Sequence, residues 1–434
     1  MSNIARDDFN YARRFEQLTH LLSEHKALWQ FATFNQAHLP WREDYPELCN
    51  WLDSQSVTDL LSEDSQTRIG QFLPFVSQIE ALTQLDDFTH DCLTPSENKD
   101  SAEFPSVPVH FSHGIGGRKW QQISAFFAAL GPAQQAENYL EWCAGMGHLG
   151  RLVALKTSSS VLSLEWQQDL CDKGSRLAEK ANVQQGFVCD DALGAQSATH
   201  LAGKNCAMAL HACGDLHTAL LRAAGEVKTP HVVISPCCYH LTRDAHYLGL
   251  SQLCQANLIQ HGLEIDKDDL KLAVKQVATA GAREQDLREL ELTYRLGFDT
   301  WLRETLNADN YIPLPSVKKS QLNQGFEAFC HWAAEQKNQL FSATDEQVTQ
   351  YLAIGKQRRA LLARLEAVRS CFRRAMELWL VLDRALFMQE QGYQVEVGIF
   401  CSAQLTLVII CYGRYSKSRQ RPSEYFCDDL FIFN

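Results

Sequence analysis

The sequence predicts an α/β protein: a mainly parallel sheet completed by a C-terminal antiparallel hairpin. Three observations carry this. Between residues 139 and 235, short apolar runs alternate with helix-period stretches, the pattern of βαβ units. The first of these runs breaks into a glycine-rich turn that opens a helix. After a long helical stretch, two β-rich runs at 393–401 and 405–412, separated by Ser402-Ala403-Gln404, read as a hairpin.

In chain order, residues from about 5 to 90 show helix spacing at Phe15, Leu18, Leu21 and Leu22 and again at Phe72, Phe75, Ile79 and Leu82, interrupted by Pro40 and Pro46. This predicts an N-terminal helical domain over 1–100. Residues 93–108 are rich in Ser, Pro and charge and read as a linker. The turn Gly114-Ile115-Gly116-Gly117-Arg118-Lys119 then opens an apolar helix through Ile123, Phe126, Phe127 and Leu130. It could present amides and cations to an anionic ligand, or be a plain turn with two solvated cations. Strands are expected at 139–143, 161–165, 186–190, 206–211 and 231–235, with helices between them, which gives a Rossmann-like sheet. Helical pattern follows at 244–260, 267–305, 321–340 and 345–390. The expected division is a core over 101–240 holding the cofactor half, a helical insertion over 241–390 capping the acceptor side, and a hairpin over 391–434 completing the sheet.

Composition narrows the functional classes. The 434 residues are 45% hydrophobic, without a run of about 18 apolar residues or a secretory leader pattern at the N-terminus, so a cytoplasmic protein with no membrane partner is expected. Fifteen cysteines without repeating spacing fit free thiols in a reducing compartment. The net charge of −12 argues against a polyanion binder by charge alone, and no DNA partner is expected. Two basic patches stand against that balance: Lys356, Arg358, Arg359, Arg364, Arg369, Arg373 and Arg374, and the segment Arg414–Arg421. The first reads as a solvated helix face or as an acceptor-selecting surface.

Ligands of open α/β sheets bind at the carboxyl ends of the strands, so the residues that end each run are the informative ones. The first run ends at Glu141, Cys143 and Ala144 and enters a turn with Gly145, Gly147 and Gly150, a G-x-G-x-x-G match that suits close backbone approach to a nucleotide. The next runs end at Glu165-Trp166, at Asp190-Asp191, at His211-Ala212-Cys213-Gly214-Asp215 and at Ser235-Pro236-Cys237-Cys238-Tyr239-His240. A parallel sheet closed by a C-terminal hairpin is the layout of S-adenosylmethionine-dependent methyltransferases. Glu165 lies 24 residues after Glu141, near the spacing of roughly 20 at which an acid meets ribose hydroxyls. Asp190 or Asp191 would accept from the adenine amine, and Glu141 would face the cationic methionine moiety. The later chain turns helical instead of supplying a second mononucleotide half, which disfavours a nicotinamide cofactor. The soft residues after the fourth and fifth runs admit three readings. Tyr239 or His240 could deprotonate an acceptor, the thiols and imidazoles could hold a metal, or the cysteines could be buried packing. Cys-Cys-x-His is not an ordinary zinc spacing, so no metal ligand is assigned.

Three pieces resemble one known group: Glu-x-x-Ala-Gly-x-Gly-x-Leu at 141–149, Leu-His-Ala-Cys-Gly-Asp at 210–215 and Pro-Cys-Cys-Tyr-His at 236–240. Together they look like the Rossmann-type methyltransferase domain shared by three sets of proteins. These are the acceptor-stem tRNA 2′-O-methyltransferases, the methyltransferase-like proteins with a helical insertion, and the glutathione-S-transferase C-terminal-domain-containing protein. The resemblance covers about 139–240 and the hairpin at 393–412. It implies that S-adenosylmethionine is bound by Glu141, Gly145, Gly147, Glu165, Asp190 and the segment around His211, with Lys119 matching a lysine ahead of the domain. The cysteine- and histidine-rich finger of the tRNA enzymes is not seen in the sequence before the domain. The expected activity is methyl transfer to an O, N or S acceptor on RNA, protein or a small molecule, with His211, Asp215, Cys237, Tyr239 and His240 on the catalytic side. The alternatives are a non-catalytic binding module of the same fold and a nicotinamide-dependent oxidoreductase.

Overall fold

The computed structural model describes residues 11–62, 64–87, 107–274, 282–401 and 406–413. Most of the expected linker at 93–108, the hairpin turn Ser402-Ala403-Gln404 and the basic segment 414–421 lie outside the described residues.

Among the described residues, eight strands form one sheet: β1 (Asp86–Asp87), β2 (Asn138–Trp142), β3 (Ser160–Glu165), β4 (Gln185–Cys189), β5 (Cys206–Ala209), β6 (His231–Ile234), β7 (Tyr393–Cys401) and β8 (Thr406–Gly413). Their order is β1-β7-β8-β6-β5-β2-β3-β4. Strands β2 to β6 are mutually parallel, with Leu140 opposite both Leu162 and Ala207. Strand β8 runs antiparallel to both β6 and β7. The chain winds outward from β2 through β3 to β4, then returns to the other side of β2 for β5 and β6. That reversal leaves a crevice at the carboxyl ends of β2 and β5, where such sheets bind ligands. The fold is the expected α/β, Rossmann-like sheet with its antiparallel hairpin.

Alternate residues of each strand serve two cores, as the pleat requires. Leu140, Trp142, Ala207, Ala209, Val232 and Ile234 join the core containing the N-terminal helices and helix Arg373–Glu390. Tyr139, Val161, Cys206, Met208 and Val233 join the opposite core, under helices Gly117–Ala129 and His148–Thr157. The first helix, Tyr11–Glu24, packs Phe15 against Trp379 with ring centroids 5.2 Å apart, so it shares a core with the sheet. A third core, around Tyr294, Phe298, Trp301, Phe326 and Phe329, is built by helices Ala282–Leu306 and Phe326–Glu335. Helix Asp345–Ser370 runs between the first and third cores, burying Leu362, Leu365 and Val368 in the first and packing Tyr351 and Leu352 on the third.

The helical pattern at 345–390 is two helices, because the chain turns at Cys371-Phe372. The pattern at 244–260 begins as a helix only at Gln252. The backbone before it is held by Asp383, whose carboxylate accepts from the Leu250 and Ser251 amides, each at 2.8 Å. The arginine-rich face needs correction. Arg358 binds Asp299 at 2.8 Å, Arg359 is bidentate to Glu289 at 2.6 and 2.8 Å, and Arg369 binds Asp269 at 3.3 Å. Arg364 donates to the Leu52 carbonyl at 3.0 Å and Arg374 to Glu377 at 2.8 Å. Arg358, Arg359, Arg364 and Arg369 therefore tie helix Asp345–Ser370 to other elements, Arg374 pairs within its own helix, and of the patch Lys356 is the exposed cation. Spacing along one helix does not reveal which acids another helix will bring opposite it.

Candidate functional site

A cleft of about 630 Å³ opens at the carboxyl ends of β2, β3, β4 and β5. Its size lies within the roughly 300–1,000 Å³ typical of ligand sites. Its lining comes entirely from residues between Lys119 and Leu216 and includes Glu141, Cys143, Ala144, Gly145, Glu165, Trp166, Asp190, Asp191 and His211. Strand ends separated widely in sequence thus meet in one concavity.

The floor is the turn after β2. Cys143 and Gly145 both have positive φ, 57° and 58°, and an added Cβ at Gly145 would meet no atom within 4 Å. Gly145 therefore leaves its backbone open to the cleft, as the sequence predicts. Gly147 does something different. It has φ +63°, and a Cβ there would lie 2.3 Å from Gln185 Nε2 and 2.5 Å from the Phe187 ring. Its side faces β4, so it serves helix-to-sheet packing and is not among the residues lining the cleft.

The Gly145 amide donates to Glu165 Oε2 at 2.8 Å and the Gln167 amide to Oε1 at 3.1 Å. Both carboxylate oxygens are thus fixed at the end of β3, and each keeps further acceptor capacity. Trp166, next in sequence, is 70% exposed at the cleft edge. At the end of β4, Asp190 is paired with His200 at 2.8 Å and also accepts from the Asp191 amide. These bonds, the His200 one foremost, hold its pKa below the usual range. Asp191 accepts from the Leu193 amide at 2.9 Å.

Glu141 lies on the buried side of the cleft, against helix His148–Thr157. Its Oε2 accepts from Ser163 at 2.7 Å, and Gln185 bridges Ser163 and the Gly147 carbonyl at 2.9 Å each. Burial pushes its pKa up to about 7, against the opposing effects of Ser163, the Gly150 backbone, Arg151 and Lys119. His148, also in the lining, accepts at Nδ1 from Arg151 at 2.9 Å; burial, then Arg151 and Lys119, lower it to about 4. Neutral His148 and a protonatable Glu141 thus flank Lys119, whose charge also helps burial to lower the pKa of His211 at the rim. Ser163, Gln185, His148 and Arg151 were not singled out from sequence. The signal was present for Ser163 alone, a polar residue inside the apolar run Val161–Leu164.

The acceptor-side candidates separate. His211 lines the cleft. Cys213 and Cys237 lie together just beyond it, Sγ to Sγ 3.4 Å. Tyr239 is 4% exposed, with its hydroxyl 3.4 Å from the Pro236 carbonyl. Asp215 accepts from the Arg243 amide at 2.8 Å and so ties two loops together. His240 is partly exposed, with its Nδ1 buried and without a hydrogen-bond partner. None of Asp215, Cys237, Tyr239 or His240 lines the cleft itself.

Residues 118–245 match the family model described as a methyltransferase domain. A search of the curated proteins returns no match. Among solved structures the chain is similar to the Pyrococcus abyssi tRNA (uracil-54, C5)-methyltransferase, at 19% identity over 27% of this chain and 28% of that one, with a TM-score of 0.23. It is similar also to a SAM-dependent methyltransferase from Agrobacterium tumefaciens (14% identity, 33% and 51% coverage, TM-score 0.25). A third is the cyclopropane synthase MmaA2 from Mycobacterium tuberculosis (12% identity, 75% and 93% coverage, TM-score 0.24). The chain thus spans little more than a quarter of the first of these structures, and at such scores the likenesses carry no functional argument. The strand order is that of a Rossmann-like sheet with a cleft at its strand ends, and the part of the chain that builds this cleft is the part that matches the methyltransferase-domain model. The matched segment runs from the helix bearing Lys119 to just past Tyr239-His240. No helix among the described residues is long and apolar enough to cross a membrane.

Proposed function

We propose that the cleft holds S-adenosylmethionine with its nucleoside toward Glu165, Trp166, Asp190 and Asp191 and its methionine end toward Glu141, Lys119 and His211. The observation that carries this is Glu165, fixed by two backbone amides at the end of β3 with acceptor capacity left for a pair of ribose hydroxyls. The donor set fits the group: carboxylates at one end, an exposed indole beside them for a base to stack on, and an open Gly145 backbone between. When bound, S-adenosylmethionine supplies an electrophilic methyl group on a sulfonium.

The chain's own residues bind and orient. Glu141, whose buried carboxyl has a pKa of about 7, shifts toward its carboxylate when a cation is placed beside it, which favours a sulfonium over a neutral sulfur. Lys119 holds the anionic end. The acceptor approaches across His211, from the side of the 211–215 and 236–240 segments. Aligning it with the methyl group accounts for the catalysis, so a strong base is not required. Tyr239 and Asp215 act by fixing those two segments. The acceptor is an O, N or S nucleophile on RNA, protein or a small molecule. Radiolabelled methyl transfer to cell extract, with and without ribonuclease or protease, identifies the class. Loss of labelled product under one treatment names the acceptor, whereas no transfer under any condition favours a non-catalytic binding module.

A further inference from the structure

At the carboxyl ends of β5 and β6, the sulfurs of Cys213, Cys237 and Cys238 lie within 4.8 Å of one another. We propose that these three cysteines form a thiolate site for a soft divalent metal, with zinc as the ion and a fourth position left for a non-protein ligand.

Convergence of three sulfurs, not two, carries the argument. Consecutive side chains of an extended chain point to opposite sides. Cys238 escapes that rule by adopting φ +47°, a left-handed conformation that L-residues with a Cβ rarely take. The turn brings its thiol to the same point as that of Cys237. A disulfide between Cys213 and Cys237 would give Cys238 no reason to turn inward, whereas a metal uses all three.

The donors are also held in place. Cys213 and Cys237 form a parallel backbone bridge, and Gly214 donates to the Cys237 carbonyl at 3.1 Å. Leu241 donates to the Cys238 carbonyl at 2.9 Å and Asp215 to the Leu241 carbonyl at 3.1 Å. The segments approach so closely that a Cβ on Gly214 would lie 1.9 Å from the Leu241 oxygen. Tetrahedral zinc with Zn–S bonds of about 2.3 Å places its sulfurs about 3.8 Å apart. The 3.4 Å separation of Cys213 from Cys237 and the 4.8 Å limit on the whole set bracket that value. Cys213 also sits just before helix Asp215–Val227, at its positive end, which favours thiolate.

Binding converts three S–H groups into three S–metal bonds and releases three protons to solvent. The metal keeps its oxidation state, and the site carries one net negative charge. No fourth His, Cys, Asp or Glu joins the cluster among the described residues, the ligand count of zinc sites that keep an open position. The site adjoins the cleft, since Cys213 follows the rim residue His211 by two positions and its thiol lies 3.6 Å from the His211 carbonyl.

The test uses the full chain purified without chelator and analysed by metal mass spectrometry, followed by alkylation mapping before and after chelation. The proposal expects about one zinc per chain. It also expects Cys213, Cys237 and Cys238 to become alkylated together once the metal is removed, and sulfur-to-cobalt charge-transfer absorption when cobalt replaces zinc. Cys238→Ser should reduce bound zinc at least tenfold, and Cys189→Ser, at an exposed thiol outside the cluster, should leave it unchanged. A chain that takes up no stoichiometric zinc on reconstitution would overturn the proposal. So would a 213–237 disulfide in the native protein with Cys238 freely alkylated.

Discussion

The guanidinium of Arg384 lies 4.9 Å from the centre of the Tyr239 ring, joining helix Arg373–Glu390 to the Cys-Cys-Tyr-His segment beside the cleft. Arg384 also donates to His217 Nε2 at 2.9 Å and to the Tyr247 hydroxyl at 2.7 Å, and Tyr247 in turn donates to Asp383. A buried cation thus organises the under-side of the 236–240 segment. Removing one partner of a buried charged set typically costs about 3–5 kcal/mol. Arg384→Met should lose that much stability in urea unfolding, whereas a loss below about 1 kcal/mol would show that the network is not needed.

Tyr239 is placed to support, not to take a proton. Its hydroxyl meets only the Pro236 carbonyl, at 3.4 Å, and burial raises its pKa far above the ordinary phenol value. Tyr239→Phe should leave methyl transfer within about threefold of the parent, with an unchanged pH profile. A fall in kcat of the 10²-fold or more expected for loss of a general base would return Tyr239 to the chemistry.

The two glycines of the turn should separate binding from folding. Gly147→Ala puts a Cβ 2.3 Å from Gln185 and 2.5 Å from Phe187 in a left-handed backbone, so it should lower stability by roughly 2 kcal/mol or more. Gly145→Ala carries only the left-handed cost, roughly 1 kcal/mol, because nothing lies within 4 Å. It should still weaken S-adenosylhomocysteine binding more than Gly147→Ala does when both are measured by calorimetry on folded protein. The reverse ranking would place the ligand elsewhere.

Glu141 predicts a pH dependence. Its folded pKa of about 7 lies above the ordinary 4.5 of a free glutamate, so the folded state holds the proton more tightly than the unfolded chain. Its stabilising contribution is complete below about pH 4.5 and is lost as pH rises through 7. Relative to Glu141→Gln, the parent should lose about 3 kcal/mol between pH 4.5 and 8. Parallel stability curves for the two proteins would mean that the carboxyl is not buried in its neutral form.

Much of this was readable before the structure because it is local. The strands β2 to β6 are short apolar runs with crossovers of suitable length, and the cleft acids Glu165, Asp190 and Asp191 are the residues that end them. What escaped depends on partners from distant parts of the chain. Arg358 reads as a surface cation until helix Ala282–Leu306 brings Asp299 opposite it. Gly147 reads as a ligand glycine until Phe187 of β4 packs on it. Tyr239 reads as a base until Arg384, 145 positions later in the chain, covers its ring.

The central claim is that Glu165, held by the Gly145 and Gln167 amides, binds the ribose of the methyl donor. Titration of the parent and Glu165→Ala with S-adenosylhomocysteine by calorimetry tests it directly. The variant should bind about 30-fold more weakly, equivalent to about 2 kcal/mol for the lost charge-assisted hydrogen bonds. An unchanged Kd in a variant with parental thermal stability would contradict it.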